Sequence, residues 1–213
     1  MIGLFLSSTW ETMEMVFISC IVAVLFGVPL GVLLLVTRKG HILEFVSINR
    51  FVAMIVNAVR SIPFIILMVA MTPFTRWVVG TSIGTVAAMV PLAVSAIPFF
   101  ARLVESAMEE VPKGLIEASL SMGGSPLQII CYVVIPEAMP AILRGITLTL
   151  ITLIGYSAMA GAIGGGGLGD LAIRYGYQRF EVSVMIITVL ILIFFVQLLQ
   201  WLGDRIALRL SHR

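Results

Sequence analysis

Val182-Ser-Val-Met-Ile-Ile-Thr-Val-Leu-Ile-Leu-Ile-Phe-Phe-Val-Gln-Leu-Leu-Gln-Trp-Leu202 carries no charged side chain and is almost entirely apolar. A bilayer core about 30 Å thick is crossed by roughly 20 residues of helix, so this stretch is long enough to span one. Backbone N–H and C=O groups find no water in hydrocarbon, and a helix satisfies them within one segment. The stretch lacks the in-out alternation of a barrel strand and therefore reads as a transmembrane helix. Working outward, the same reading applies to Met13 to Val36, Phe51 to Phe74, Ile83 to Ala101 and Ile142 to Ile163. The sequence thus predicts an all-α membrane protein with five transmembrane helices, a single domain over residues 1–213.

Composition agrees. Hydrophobic residues make up 60% of the chain and charged ones 11%, and the mean hydropathy of +1.14 lies far outside the range of soluble domains. A formal net charge of +2 gives no reason to expect a nucleic-acid partner. Glu11 and Glu14 precede the first apolar segment, which has no small-residue cleavage site and is expected to stay attached. Cys20 and Cys131 lack the paired spacing of a zinc or redox site, and His41 and His212 sit in polar stretches, so no metal is expected.

In a membrane protein the placement of Lys and Arg matters more than their sum. Arg38, Lys39, Arg50, Arg102, Lys113, Arg144, Arg205, Arg209 and Arg213 fall on one side of the five spans, and Arg76, Arg174 and Arg179 on the other. The positive-inside rule then predicts an amino terminus outside and a carboxyl terminus in the cytoplasm. This makes the connection from Arg102 to Arg144 cytoplasmic and the one from Gly164 to Glu181 the longest outside, and function is expected to concentrate in these two.

The cytoplasmic connection reads Glu117-Ala-Ser-Leu-Ser-Met-Gly123, then Gly124-Ser125-Pro126-Leu127-Gln128, then Val133-Val-Ile-Pro136. Gly123 or Gly124 can take the left-handed conformation that ends a first short helix. Ser125 is placed to cap a second, with Pro126 at its first position and Gln128 completing a capping box. Pro136 and Pro140 are expected to break the chain before the fourth span. Leu115, Ile116, Leu120, Met122, Leu127, Ile129 and Ile130 are poorly matched to water, so the loop either binds a partner or packs on its own bundle.

At these residues the chain resembles the permeases of type I ABC importers, whose signature is Glu-Ala-Ala, three residues, Gly, nine residues, Ile, one residue, Leu-Pro. Glu117, Ala118, Gly123 and Pro136 match at that spacing, while Ser119, Val133 and Ile135 are close exchanges. The resemblance implies that a loop at about residues 103–140 forms a coupling helix entering a cleft on an ATP-binding subunit, with Glu117, Ala118, Ser119, Gly123 and Pro136 as its coupling residues. It narrows to the methionine importer permeases through Arg60-Ser-Ile-Pro-Phe-Ile-Ile-Leu67, Pro73-Phe-Thr-Arg76, Val79-Gly-Thr-Ser-Ile-Gly84, Gly155-Tyr-Ser-Ala-Met159, Gly164-Gly-Gly-Gly-Leu-Gly169 and Arg174-Tyr-Gly-Tyr177. A homodimer in the bacterial inner membrane is implied, with two ATP-binding subunits inside and an extracytoplasmic methionine-binding protein outside. The cargo implied is methionine, D-methionine included, with another amino acid or a methionine derivative as the alternative. ATP and Mg would be bound by the partner ATPase, and this chain would hold no cofactor and perform no catalysis.

Several residues invite a functional reading beside a plainer one. Arg60 inside an apolar run is either a gate or cavity charge or a side chain snorkelling to the headgroups. Tyr156, Ser157 and Met159 lie in a run of small residues near the outer end of the fourth span. By the resemblance that helix lines the translocation pathway, where Tyr156 and Met159 would contribute to a gate; the plainer reading is packing. Gly164 to Gly167 lack a following Lys-Ser or Lys-Thr, so they read as a tight outer turn and not a nucleotide cradle. Glu105, Glu109 and Glu110 have no His cluster nearby and read as a solvated helix end meeting basic groups. A proton- or sodium-coupled carrier or channel is the rival class, but it would place ionisable relays at mid-membrane, where Arg60 stands alone.

Overall fold

The computed structural model describes residues 2–210. The readings placed on His212 and Arg213 lie outside the described residues. The first helix, α1, runs over Ile2–Val36 and so begins well before the expected start at Met13. Glu11 and Glu14 do not precede it but lie within it. Glu11 is tolerated there because its Oε2 accepts the Gly167 N–H at 2.7 Å, which gives a half-buried carboxylate a partner.

The second predicted span is broken. Helix α2 (Val46–Ser61) and α3 (Phe64–Ala70) meet at 101°, and α4 (Thr72–Val79) follows before a left-handed Gly80. The break falls where Pro63 removes an amide donor and pushes Ile62 into extended backbone, φ −83° and ψ 124°. Helix α5 (Thr85–Glu109) is longer than the run expected to end at Ala101, and it carries Pro91 and Pro98 inside it.

Helices α1 and α5 form the centre of the fold. Ser19 Oγ donates to the Met89 carbonyl at 3.3 Å, and at the other end Arg38 Nη1 pairs with Glu109 Oε1 at 2.5 Å. Between them a side chain on Gly27 would meet the Phe100 ring at 2.8 Å, and one on Gly31 the Ala101 carbonyl at 2.6 Å. Small residues thus let the two backbones touch, the usual device for joining helices in lipid. The register of these contacts shows that α1 and α5 run in the same direction. The α2–α4 segment must therefore carry the chain back across the bundle, which makes the bent segment a fifth crossing beside four long apolar helices.

Beyond α5 lie α6 (Lys113–Ser121) and α7 (Pro126–Ile129), then a π-helical turn over Ile130–Val134 that flows into α8 (Ile135–Gly161). The expected break at Pro136 and Pro140 does not occur. Pro136 sits in the first turn of α8, and just before it the Ile135 N–H reaches back five residues to the Ile130 carbonyl. The wider turn makes room for a ring that would collide with an ordinary helical carbonyl. Pro140 follows within the helix, its missing donor tolerated there.

Helix α8 runs against α5, with Gly145 on Leu103 and the Gly84 N–H on the Gly164 carbonyl at 3.0 Å. Short α9 (Gly167–Leu171) and a second π-helical turn (Ala172–Tyr177) lead into α10 (Val182–Leu210), which returns along α8 with Gly203 on Thr147. The continuous core collects Met15, Leu92, Phe100, Val104, Ile129 and Leu153.

Candidate functional site

The loop between α5 and α8 is built as its local sequence requires. Gly123 takes φ +84° and ends α6, as the sequence expects. Ser125 N–H donates to Gln128 Oε1 at 2.9 Å and Gln128 N–H to Ser125 Oγ at 3.4 Å, which closes the capping box of α7. The loop's apolar residues divide in two. Ile129, Ile130 and Val134 are buried and anchor the loop in the core. Met122, Leu127 and Tyr132 are 82%, 73% and 78% exposed, and Leu115 and Leu120 are exposed beside them. One face of the loop thus packs on the bundle, as one of the two readings expects, and the other is left exposed.

On that outward face stand Glu117, Ala118 and Gly123, all exposed. Ser119 is half-buried and donates from Oγ to the Leu115 carbonyl at 2.7 Å. Pro136 is also exposed and borders a polar cavity of about 490 Å³ that Glu110, Glu137 and Arg144 share. Within the expected extent of about 103–140, α5 stays helical to Glu109, and α7 begins at Pro126 and runs on through the π-helical turn into α8.

The three acidic residues separate. Glu109 holds Arg38, as a helix end meeting a basic group should, and burial and the same Arg38 lower the His41 pKa from its ordinary value. Glu105 is not solvated but buried, and it pairs with Arg102 at 2.6 Å. Among the described residues no group of His, Cys, Asp and Glu could hold a metal.

Near the other end of α8, Tyr156 lies half-buried and its ring stacks flat on Phe64, 4.5 Å between centroids. Met159, one turn further, is 47% exposed. Ser157 points the other way: it is buried and its Oγ donates to the Ile154 carbonyl at 2.8 Å. Arg60 is exposed in the last turn of α2, next to the break. The structure thus joins Tyr156 to the α2–α3 elbow through Phe64. Sequence reasoning missed Phe64 because an aromatic in an apolar run carries no mark of its own; the preceding Pro63 was the available signal.

Gly164 to Gly167 form the tight turn expected of them. Gly164, Gly166 and Gly167 take φ of +86°, +79° and +75°, and Gly167 and Leu168 donate their amides to Glu11 Oε2 and Thr12 Oγ1. Arg174 bonds Asp170 within the next turn, which raises its pKa further above the ordinary arginine value.

Residues 23–212 match the family described as the inner membrane component of binding-protein-dependent transport systems. The probable D-methionine transport system permease protein MetI of Vibrio cholerae is 54% identical over 210 residues, 99% of this chain and 93% of the relative. The D-methionine transport system permease protein MetI of Escherichia coli K12 is 55% identical over 161 residues, 76% of this chain and 74% of the relative. A solved structure of the MetNI methionine ABC transporter in an inward-facing conformation superposes at a TM-score of 0.98 with 50% identity, covering 100% of this chain and 98% of that one. An amino acid ABC transporter crystallised with histidines shares the fold at a TM-score of 0.75 and 19% identity, with 95% and 94% covered.

Proposed function

The chain belongs to the family of inner membrane components of binding-protein-dependent transport systems, and from that premise we propose that it is the permease subunit of an ATP-driven importer of methionine, D-methionine included. It is a multi-pass inner membrane protein of the type I ABC permease fold. The observation that carries the choice of solute is the full-length likeness to relatives named as D-methionine permeases.

In this reading two copies of the chain enclose the path, because one bent-span bundle offers too little wall to surround a solute. The amino terminus lies outside and the loop over α6 and α7 faces the cytoplasm. There Glu117, Ala118, Ser119, Gly123 and Pro136 form the surface that meets an ATP-binding subunit, one per copy, and Met122 and Leu127 supply the apolar contact. ATP and Mg are bound and consumed on that partner, and this chain only changes shape. An extracytoplasmic methionine-binding protein delivers the solute from the other side. Tyr156, Met159 and Arg60 serve the path and its gate, while Ser157 is buried with its hydroxyl bonded within α8. ATP favours one arrangement of the ATPases over the other, and the coupling loop passes that difference in affinity to the spans.

The test is uptake into vesicles carrying the permease, its ATPase and its binding protein, with D- and L-methionine competing against other amino acids. ATP-driven uptake that either methionine stereoisomer blocks best is expected. Preference for an unrelated amino acid would refute the choice of solute.

A further inference from the structure

Helices α1 and α5 cannot part without unpacking, since their backbones touch at Gly27 and Gly31. Helix α2 is attached differently. Val56 is its one buried residue, and a small cluster of Leu34, Val56 and Ala101 is what it shares with the α1–α5 pair. Two polar clasps hold it besides. Near its start Asn49 Nδ2 donates to the Leu34 carbonyl at 2.6 Å and to Thr37 Oγ1 at 3.1 Å. Near its end Arg102 of α5 donates from Nη2 to Asn57 Oδ1 at 2.9 Å, little more than one turn before the break at Ile62 and Pro63.

The second clasp has an unusual balance. Arg102 and Glu105 are 23% and 12% exposed, and their pairing on one helix already neutralises the guanidinium. Among the described residues Arg102 Nε is buried without a partner, and the group is held through its two Nη atoms. The bond to Asn57 is therefore not required to settle the charge. Asn57 is a neutral acceptor on an exposed face, shared with Arg60 and Ser61, and can let go without leaving a buried ion unpaired. Close packing makes α1 and α5 one body, whereas α2 is held to it by bonds that can be exchanged.

We propose that Arg102 is a positioning residue for transport: its bond to Asn57 latches α2, and with it the elbow that carries Phe64 against Tyr156, to the α1–α5 pair, and this bond parts when the path turns outward. The inference rests on the importer reading above and on the arrangement this chain shares with its inward-facing structural relative.

Asn57→Asp tests it by strengthening the latch, since the side chain keeps its size and gains the charge that makes a bond to arginine stronger. In the reconstituted complex the expected result is a loss of uptake rate at saturating methionine with KM unchanged. Uptake at the unmodified rate would overturn the latch, because a merely structural contact would be left alone or improved by the extra charge. A second measurement leaves the latch intact: spin labels at Ile55→Cys and Ser106→Cys, in a chain with Cys131→Ser, report the distance from α2 to α5. That distance is expected to differ between the nucleotide-free complex and the complex trapped with ATP and vanadate; equal distances would overturn the proposal. Failure of the unmodified complex to take up methionine would count against the choice of solute instead, and the spin-label comparison would still decide the latch.

Discussion

Met159 shows how one side chain can be asked a functional question without the fold answering for it. It is about half exposed near the carboxyl-terminal end of α8, while Tyr156 one turn earlier is stacked on Phe64 and Ser157 is spent on its own helix. Truncating an exposed thioether removes little packing, so Met159→Ala should change stability by no more than about 0.5 kcal/mol. If the side chain plugs the path, the same variant should let methionine leak from loaded vesicles without ATP. Leakage equal to that of the unmodified protein would return Met159 to ordinary packing. Arg60 is a different case: it stands exposed in the last turn of α2, beside the elbow, and a single arginine there does not make the chain of ionisable groups an ion relay needs.

At the scale of elements, the α1–α5 contact is the one on which the bundle depends, and glycine is the reason. A methyl group at Gly31 would sit 2.6 Å from the Ala101 carbonyl and 2.7 Å from Val104 Cβ, whereas one at Gly3 would meet nothing within 4 Å among the described residues. Gly31→Ala should therefore cost about 1–3 kcal/mol, the usual penalty of overpacking, and Gly3→Ala almost nothing. Thermal unfolding of the two variants in detergent checks the contrast. Apolar runs located all five crossings, because hydrophobic length is written in composition. Their ends were less legible. Glu11 looked like a boundary because sequence could not show the Gly167 amide that accommodates it, and Pro136 looked like a breaker because sequence could not show the π-helical turn that admits its ring. The capping box at Ser125 and the left-handed Gly123 were readable because their causes are local. The bond from Arg102 to Asn57 joins residues 45 apart and was not.

At the scale of the molecule, a rigid α1–α5 pair, a bent and lightly held α2–α3 segment and a loop with one face in the core and one face outward fit a protein moved from outside itself. The outward face of that loop stands where a partner's motion could enter the bundle, since Ile129, Ile130 and Val134 tie it to the core. Crosslinking from Leu120→Cys, which is exposed on α6, to the ATP-binding subunit in the assembled complex, with exposed Cys131 replaced by Ser in every variant, tests this most directly. The account predicts capture of that subunit from Leu120→Cys and none from a cysteine at exposed Trp77 on α4, beyond the opposite end of the bundle. Failure to capture the ATP-binding subunit from Leu120→Cys while ATP-driven uptake persists would contradict it.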